Sequence, residues 1–221
     1  MKLIDPHLDV ASIFDEFKIP IDDFYHFYKL GVRSFGLSWE DKNEYVSGNS
    51  ALSDEGVSAK GRDMLRIMGT KKLMVDTAHL GDRSFRDLDR LFEGVIVNTH
   101  ANVRTITDSK HNLTDDQIQI IVDHGGIVCV FPIKEDVGGN ATFDDWYKHV
   151  DYIASKWGVE YVGLCSDIFP LPEYPFVNDA QNMTVLKDFQ MYLLTRLDPI
   201  LVQKISHDNF YNVLKRCVPE G

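Results

Sequence analysis

Residues 94–133, GVIVNTHANVRTITDSKHNLTDDQIQIIVDHGGIVCVFPI, decide the fold of this chain. The stretch opens with an apolar run, GVIVNTH, that reads as a strand and ends in His100. LTDDQIQIIVDHGG then reads as a helix. Thr114 caps it with Gln117 three residues on, Ile118, Ile121 and Val122 share a face, and Gly125-Gly126 stop it. IVCVFPI is the next strand. Strand, helix, strand in that order favours a parallel α/β sheet over an antiparallel one.

The same alternation runs outward in both directions. Upstream, a strand is expected over roughly 2–9, a helix over roughly 20–30 with Pro20 in its first turn and Gly31 at its stop, and a strand at RSFGLSW. A polar loop over 40–51 leads to a helix over 54–69, the strand KKLMVDTAH and the helix RSFRDLDRLF. Downstream come a helix from Thr142 to Trp157, the strand EYVGLCSD, and a helical stretch over 182–216 that breaks near Asp198-Pro199. No low-complexity segment or linker interrupts the series, so residues 1–221 are read as one (β/α) domain. Six strands are expected. A closed eight-stranded barrel takes about 250 residues, and 221 residues leave room for six or seven strand-helix units.

Four of the apolar runs end in metal-type ligands. LIDPHLD carries His7 and Asp9, LMVDTAH ends in His79, VIVNTH in His100, and YVGLCSD in Asp167. His7 and Asp9 share a face, because side chains two apart on a strand point the same way. Parallel α/β folds present the C-terminal ends of their strands to one crevice, so these residues are expected to converge. Imidazole and carboxylate together suit zinc. Two ions would need five or six protein ligands and a bridging carboxylate, and the strand ends supply five. His26, His124, His149 and His207 sit in helical or capping positions and read as structural.

Composition narrows the function class. A hydrophobic content of 44% with 26% charged residues is that of an ordinary globular protein. The net charge of −11 argues against nucleic acid and anionic membrane as partners. No apolar run is long enough to span a bilayer, and Met1-Lys2-Leu3-Ile4 runs into Asp5-Pro6-His7 without a leader cleavage site. Cys129, Cys165 and Cys217 have no CxxC spacing and do not form a disulfide framework; Cys129 and Cys165 read as buried strand residues. A cytoplasmic location is expected.

The runs DPHLD, GVRSFGLSW, VDTAH, VIVNTHANVR, HNLTDDQI, HGGIVCV, YVGLCSD and DNFYNVL resemble, in order, the motifs of the renal (membrane) dipeptidase family, peptidase family M19. The resemblance covers residues 1–10 and nearly all of 28–216. It implies a TIM-barrel-like parallel (β/α) fold, here truncated to about six strands, with a zinc site of one or two ions that cleaves dipeptides. It implies that His7 and Asp9 bind one zinc, that His79 and His100 bind the other, and that Asp167 handles the proton of the nucleophilic water. In that chemistry zinc lowers the pKa of its bound water to near 7, and the resulting hydroxide attacks the amide.

Three departures mark this chain. Only Val10 to Leu30 separates the HxD motif from GVR, where the family carries two more strand-helix units and a metal-bridging Glu; Glu40 or Glu16 is the candidate substitute. Trp39 stands where some members carry a substrate-binding His. His111 replaces the Arg that clamps the substrate carboxylate, a poorer match for that anion than a guanidinium, so Arg104 and His111 are the candidate substrate-binding residues. The expectation is a zinc-dependent hydrolase of small amides, with a dipeptide as the candidate substrate. The alternative is a remnant that binds metal or a small molecule without turnover. Loss of two strands would leave open sheet edges, so the remaining six strands are expected either to re-close as a smaller barrel or to hide the edge in a homodimer.

Overall fold

The computed structural model describes residues 1–6, 21–167, 176–180 and 184–218. His7, Asp9 and Glu16 lie outside the described residues, as does the end of the strand expected over 2–9, residues 7–9; residues 1–6 form no strand. The chain packs as two compact units, Met1–Leu8 with Asn98–Val213, and Asp9–Val97 with Leu214–Gly221.

In the second of these, helix α1 (Ile21–Lys29) ends at Gly31, whose φ of 102° suits glycine alone. Strands β1 (Ser34–Gly36), β2 (Met74–Asp76) and β3 (Ile96–Val97) follow in sequence with helices α2 (Ala59–Thr70) and α3 (Asp82–Leu91) between them. The three strands pair in parallel in the order β1-β2-β3, with Phe35 opposite Val75 and Val75 opposite Ile96. Strand β2 is central, and all three of its residues are buried. Leu65, Met68, Phe85 and Leu88 from the two helices are buried as well, each contributing roughly 1.5–3 kcal/mol. Helix α2 starts at Ala59 rather than at 54. Asp54 instead accepts a bond from Gly56 N (3.0 Å) in a turn that Gly56 makes at φ 80°, and Ser58 becomes the cap, accepting from Gly61 N at 3.1 Å.

In the unit holding Asn98–Val213, helix α4 (Asp115–Asp123) has the expected cap: Thr114 accepts from Gln117 N while the Gln117 side chain returns to Thr114 N. His124 is its C-cap. Strand β4 (Val128–Val130) precedes a short helix α5 (Lys134–Val137) and helix α6 (Phe143–Lys156), which Thr142 and Asp145 cap reciprocally. Strand β5 (Val162–Leu164) pairs in parallel with β4, Cys129 opposite Gly163, and Asn98 forms a further parallel bridge to Val128. Helices α7 (Val185–Leu193), α8 (Pro199–Gln203) and α9 (Asn209–Cys217) follow. Asp198 caps α8 with Pro199 in its first turn, which is the break that the sequence announces, and a π-helical turn over Lys204–Asp208 joins α8 to α9. Trp146 of α6 stacks on Phe189 of α7 at 3.8 Å between ring centres, and both are fully buried.

The fold is α/β with parallel strands, five of them among the described residues. The strands are shorter than their apolar runs. RSFGLSW keeps only three residues in β1 because the chain turns at Leu37, whose carbonyl accepts from Asn43 Nδ2 at 2.7 Å. Among the described residues no helix is long and apolar enough to cross a membrane.

Candidate functional site

Three of the expected site residues hold one position relative to their strands. Strand β2 ends at Asp76, β3 at Val97 and β5 at Leu164. His79, His100 and Asp167 each lie three residues further on (79 − 76, 100 − 97 and 167 − 164). Each is therefore delivered by a turn at the C-terminal end of a parallel strand.

The turn after β2 is built by its neighbours. Thr77 N donates to Val97 O at 2.9 Å, continuing the sheet ladder by one residue, and Asp76 Oδ1 accepts from Ala78 N at 3.1 Å to bend the chain. His79 then takes a left-handed conformation with φ 61°, unfavourable for a residue with a Cβ by about 1–2 kcal/mol. Its carbonyl accepts from Asn49 N (2.8 Å) and from Ser38 Oγ (3.3 Å). The Glu40 carboxylate, on the loop after β1, has an oxygen within 4.8 Å of a His79 ring nitrogen. Glu40 is exposed and His79 half-buried.

His100 is buried. Thr99 Oγ1 lies 3.1 Å from its Nδ1, and the ring meets Phe131 edge-on at 5.6 Å. A hydroxyl at one ring nitrogen orients the imidazole and leaves the other nitrogen to face elsewhere.

Asp167 is the other strand-end residue with positive φ, 49°. The residue before it, Ser166, is buried and is clamped by Asp5: Asp5 Oδ1 accepts from Ser166 N at 3.2 Å, and Oδ2 from Ser166 Oγ. Ile4 N donates to Ser206 O at 2.9 Å, which anchors the segment that bears Asp5. Burial, then the Asp5 and Asp167 carboxylates, push the Cys165 thiol well above its ordinary range. Cys165 is a neutral core residue at neutral pH and is no thiolate donor.

The two candidate substrate-binding residues are placed differently. Arg104 Nε donates to Asn112 O at 2.7 Å and its Nη2 to Lys110 O at 3.3 Å, so the guanidinium ties its own loop together. His111 is half-buried, with its N–H on Ser109 Oγ at 3.2 Å. Beside it burial raises the Asp136 carboxyl, against the Ser109 hydroxyl bond and the His111 charge. Sequence reasoning passed over Asn102 and Asn112, both fully buried. Asn102 bonds both Phe131 N and Phe131 O, while Asn112 serves Asn102 N, Thr107 O and Asp136 O at 2.8–3.0 Å. Two Asn at the borders of a loop that leaves a buried strand were the available signal, since such side chains replace backbone partners. His149 is structural, as its helical position suggests: Nδ1 accepts from Val103 N and Nε2 donates to Val137 O, both at 3.0 Å. Burial lowers its pKa to about 4, leaving it neutral.

A sequence profile described as Membrane dipeptidase (Peptidase family M19) matches residues 15–218. The chain is 26% identical over 205 residues to an uncharacterized protein in the pqqA 5′ region of Klebsiella pneumoniae, covering 87% of this chain and 75% of that one. It is 30% identical over 158 residues to an uncharacterized dipeptidase of Schizosaccharomyces pombe, covering 67% of this chain and 38% of the relative. A metallopeptidase from Rhodobacter sphaeroides, solved with a phosphinate mimic of the dipeptide L-Ala-D-Ala, is similar with a TM-score of 0.78 at 26% identity. That similarity covers 90% of this chain and 59% of the solved one. The chain thus spans less than two thirds of the length of the last two proteins.

Proposed function

The chain belongs to the membrane dipeptidase family, peptidase family M19, and from that premise we propose that it is a metal-dependent hydrolase of small amides of the dipeptide class. The observation that carries the reading is the common placement of His79, His100 and Asp167 three residues past a parallel strand, two of them at positive φ. Left-handed backbone at a non-glycine residue is unfavourable and recurs where a side chain must be aimed.

The donors suit a divalent ion of the zinc kind, since imidazole and carboxylate are its preferred protein ligands. His79 and His100, with His7 and Asp9 from the N-terminal motif, would hold one or two ions. A bound ion supplies Lewis acidity at the scissile carbonyl and a water that ionises near neutral pH. The chain's own residues do the rest. The Thr99 hydroxyl orients the His100 ring. The Asp5 clamp on Ser166 fixes the turn that presents Asp167, whose carboxylate takes a proton and returns it to the leaving amine. The peptide mimic held by the Rhodobacter relative supports a dipeptide as the substrate class. Three free, buried cysteines support a reducing, cytoplasmic setting.

The test is metal content of the full chain purified without chelator, together with hydrolysis of a panel of L,L- and L,D-dipeptides in added zinc. Bound metal with turnover, both reduced by His79→Ala, is the expected result. A folded chain that stays inactive in excess zinc would overturn the hydrolase reading and leave a metal-binding or small-molecule-binding remnant.

A further inference from the structure

We propose that Glu40 is a metal ligand that acts with His79, a role that rests on the metal-dependent reading above. The two residues leave the same end of one sheet. Strands β1 and β2 are adjacent and parallel with Gly36 opposite Asp76. Glu40 lies four residues past the end of β1 (40 − 36) and His79 three past the end of β2 (79 − 76). Two unrelated loops would diverge from there. These are held together by the turn over 48–50.

Consecutive amides of that turn take one carbonyl from each loop: Asn49 N donates to His79 O at 2.8 Å and Ser50 N to Glu40 O at 2.9 Å. Gly48 pairs with Leu80 in an antiparallel bridge and donates to Asp41 O at 3.2 Å. A Cβ at Gly48 would lie 2.3 Å from the Trp39 and Glu40 carbonyl oxygens, so only glycine allows this approach. The Asn49 side-chain nitrogen on the same turn is buried with no hydrogen-bond partner among the described residues.

The resulting spacing fits one ion. Donors at about 2.0–2.2 Å from a zinc-type ion stand at most about 4.4 Å apart. The Glu40 oxygen and His79 nitrogen already lie within 4.8 Å, and Glu40, exposed on a long side chain, closes the remainder by a small rotamer change. The backbone bonds of the 48–50 turn bring the two loops side by side, and the side-chain donors follow from that approach.

The chelator-stripped full chain, titrated with Co²⁺ and Zn²⁺ by calorimetry and by the visible Co²⁺ spectrum, tests the assignment. Glu40→Gln should weaken uptake at least tenfold and alter the Co²⁺ spectrum, while metal-free unfolding temperature stays at the wild-type value. Glu40→Asp should recover part of the affinity, and His79→Ala should match or exceed the loss. Wild-type affinity and spectrum in Glu40→Gln would overturn the proposal and leave Glu40 as a neighbour of His79 with no part in metal binding. If Glu40→Gln loses metal but the wild type cleaves no dipeptide, Glu40 stands as a ligand and the hydrolase reading falls. If the wild type cleaves dipeptides and Glu40→Gln is unaffected in metal and rate, the reverse holds. No uptake by the wild type removes both.

Discussion

The loops that follow β2 and β3 solve one problem in opposite ways. Both leave a buried parallel strand and must satisfy backbone groups that the sheet no longer pairs. After β3, side chains do it. Asn102, Asn112, Arg104 and His149 all bond main-chain atoms, and the loop over 98–113 is knitted from within. After β2, the residue of interest is fixed through its own main chain: the His79 carbonyl accepts from the Asn49 amide, as the Glu40 carbonyl on the loop after β1 accepts from Ser50. The difference teaches where chemistry can reside. A side chain that closes a backbone gap is committed to the fold, whereas a side chain whose carbonyl is held in place can be aimed at a ligand.

The contrast is sharpened most by Asn112→Ala. Three backbone groups, Asn102 N, Thr107 O and Asp136 O, lose their partner in a fully buried site, so urea unfolding should report a loss of about 3–5 kcal/mol. A loss under about 1 kcal/mol would mean that the loop does not depend on its side chains. Next in size is the pH dependence set by His149. Its folded pKa of about 4 lies below the ordinary 6.5, so the unfolded chain binds more protons between those values. The stabilisation is fully present above pH 6.5 and declines as pH falls towards 4, by up to about 3 kcal/mol. His149→Gln should flatten that slope in unfolding experiments at pH 7, 5.5 and 4.5; an equally steep slope would assign it to other groups. The smallest effect has the opposite sign. His79→Gly relieves a left-handed backbone at φ 61° but adds chain entropy to the unfolded state. Metal-free stability should rise by up to about 1 kcal/mol while metal uptake falls. If His79→Gly is as destabilising as Asn112→Ala, the two loops are not different in kind.

The same contrast explains what could be read in advance. Caps and breaks were legible because they are local: Thr114 with Gln117, Thr142, His124 and the Asp198-Pro199 break all act within a few residues of themselves. So was the strand-end position of His79, His100 and Asp167, which follows from apolar runs ending in polar residues. Strand lengths were not legible. Apolar runs of seven to nine residues yield strands of two or three, because a strand lasts only as long as its neighbour's ladder. Nor was the start of α2, where Asp54 and Gly56 form a turn in place of a first helical turn. Arg104 read as a candidate substrate-binding residue, and the bonds of its guanidinium to the carbonyls of Lys110 and Asn112 had no signal in the sequence.

By itself the sequence determined the alternation of strand and helix, the parallel α/β class and the residue types at the strand ends, since periodicity and capping are short-range properties of the chain. Only the tertiary structure decided that Glu40 stands beside His79 and that Asp5 clamps Ser166. Those pairs are 39 and 161 residues apart (79 − 40 and 166 − 5). What unites them is a glycine turn in one case and an anchored N-terminal segment in the other, and neither contact has a local signature, because it exists only once separate strands share a sheet end or a core.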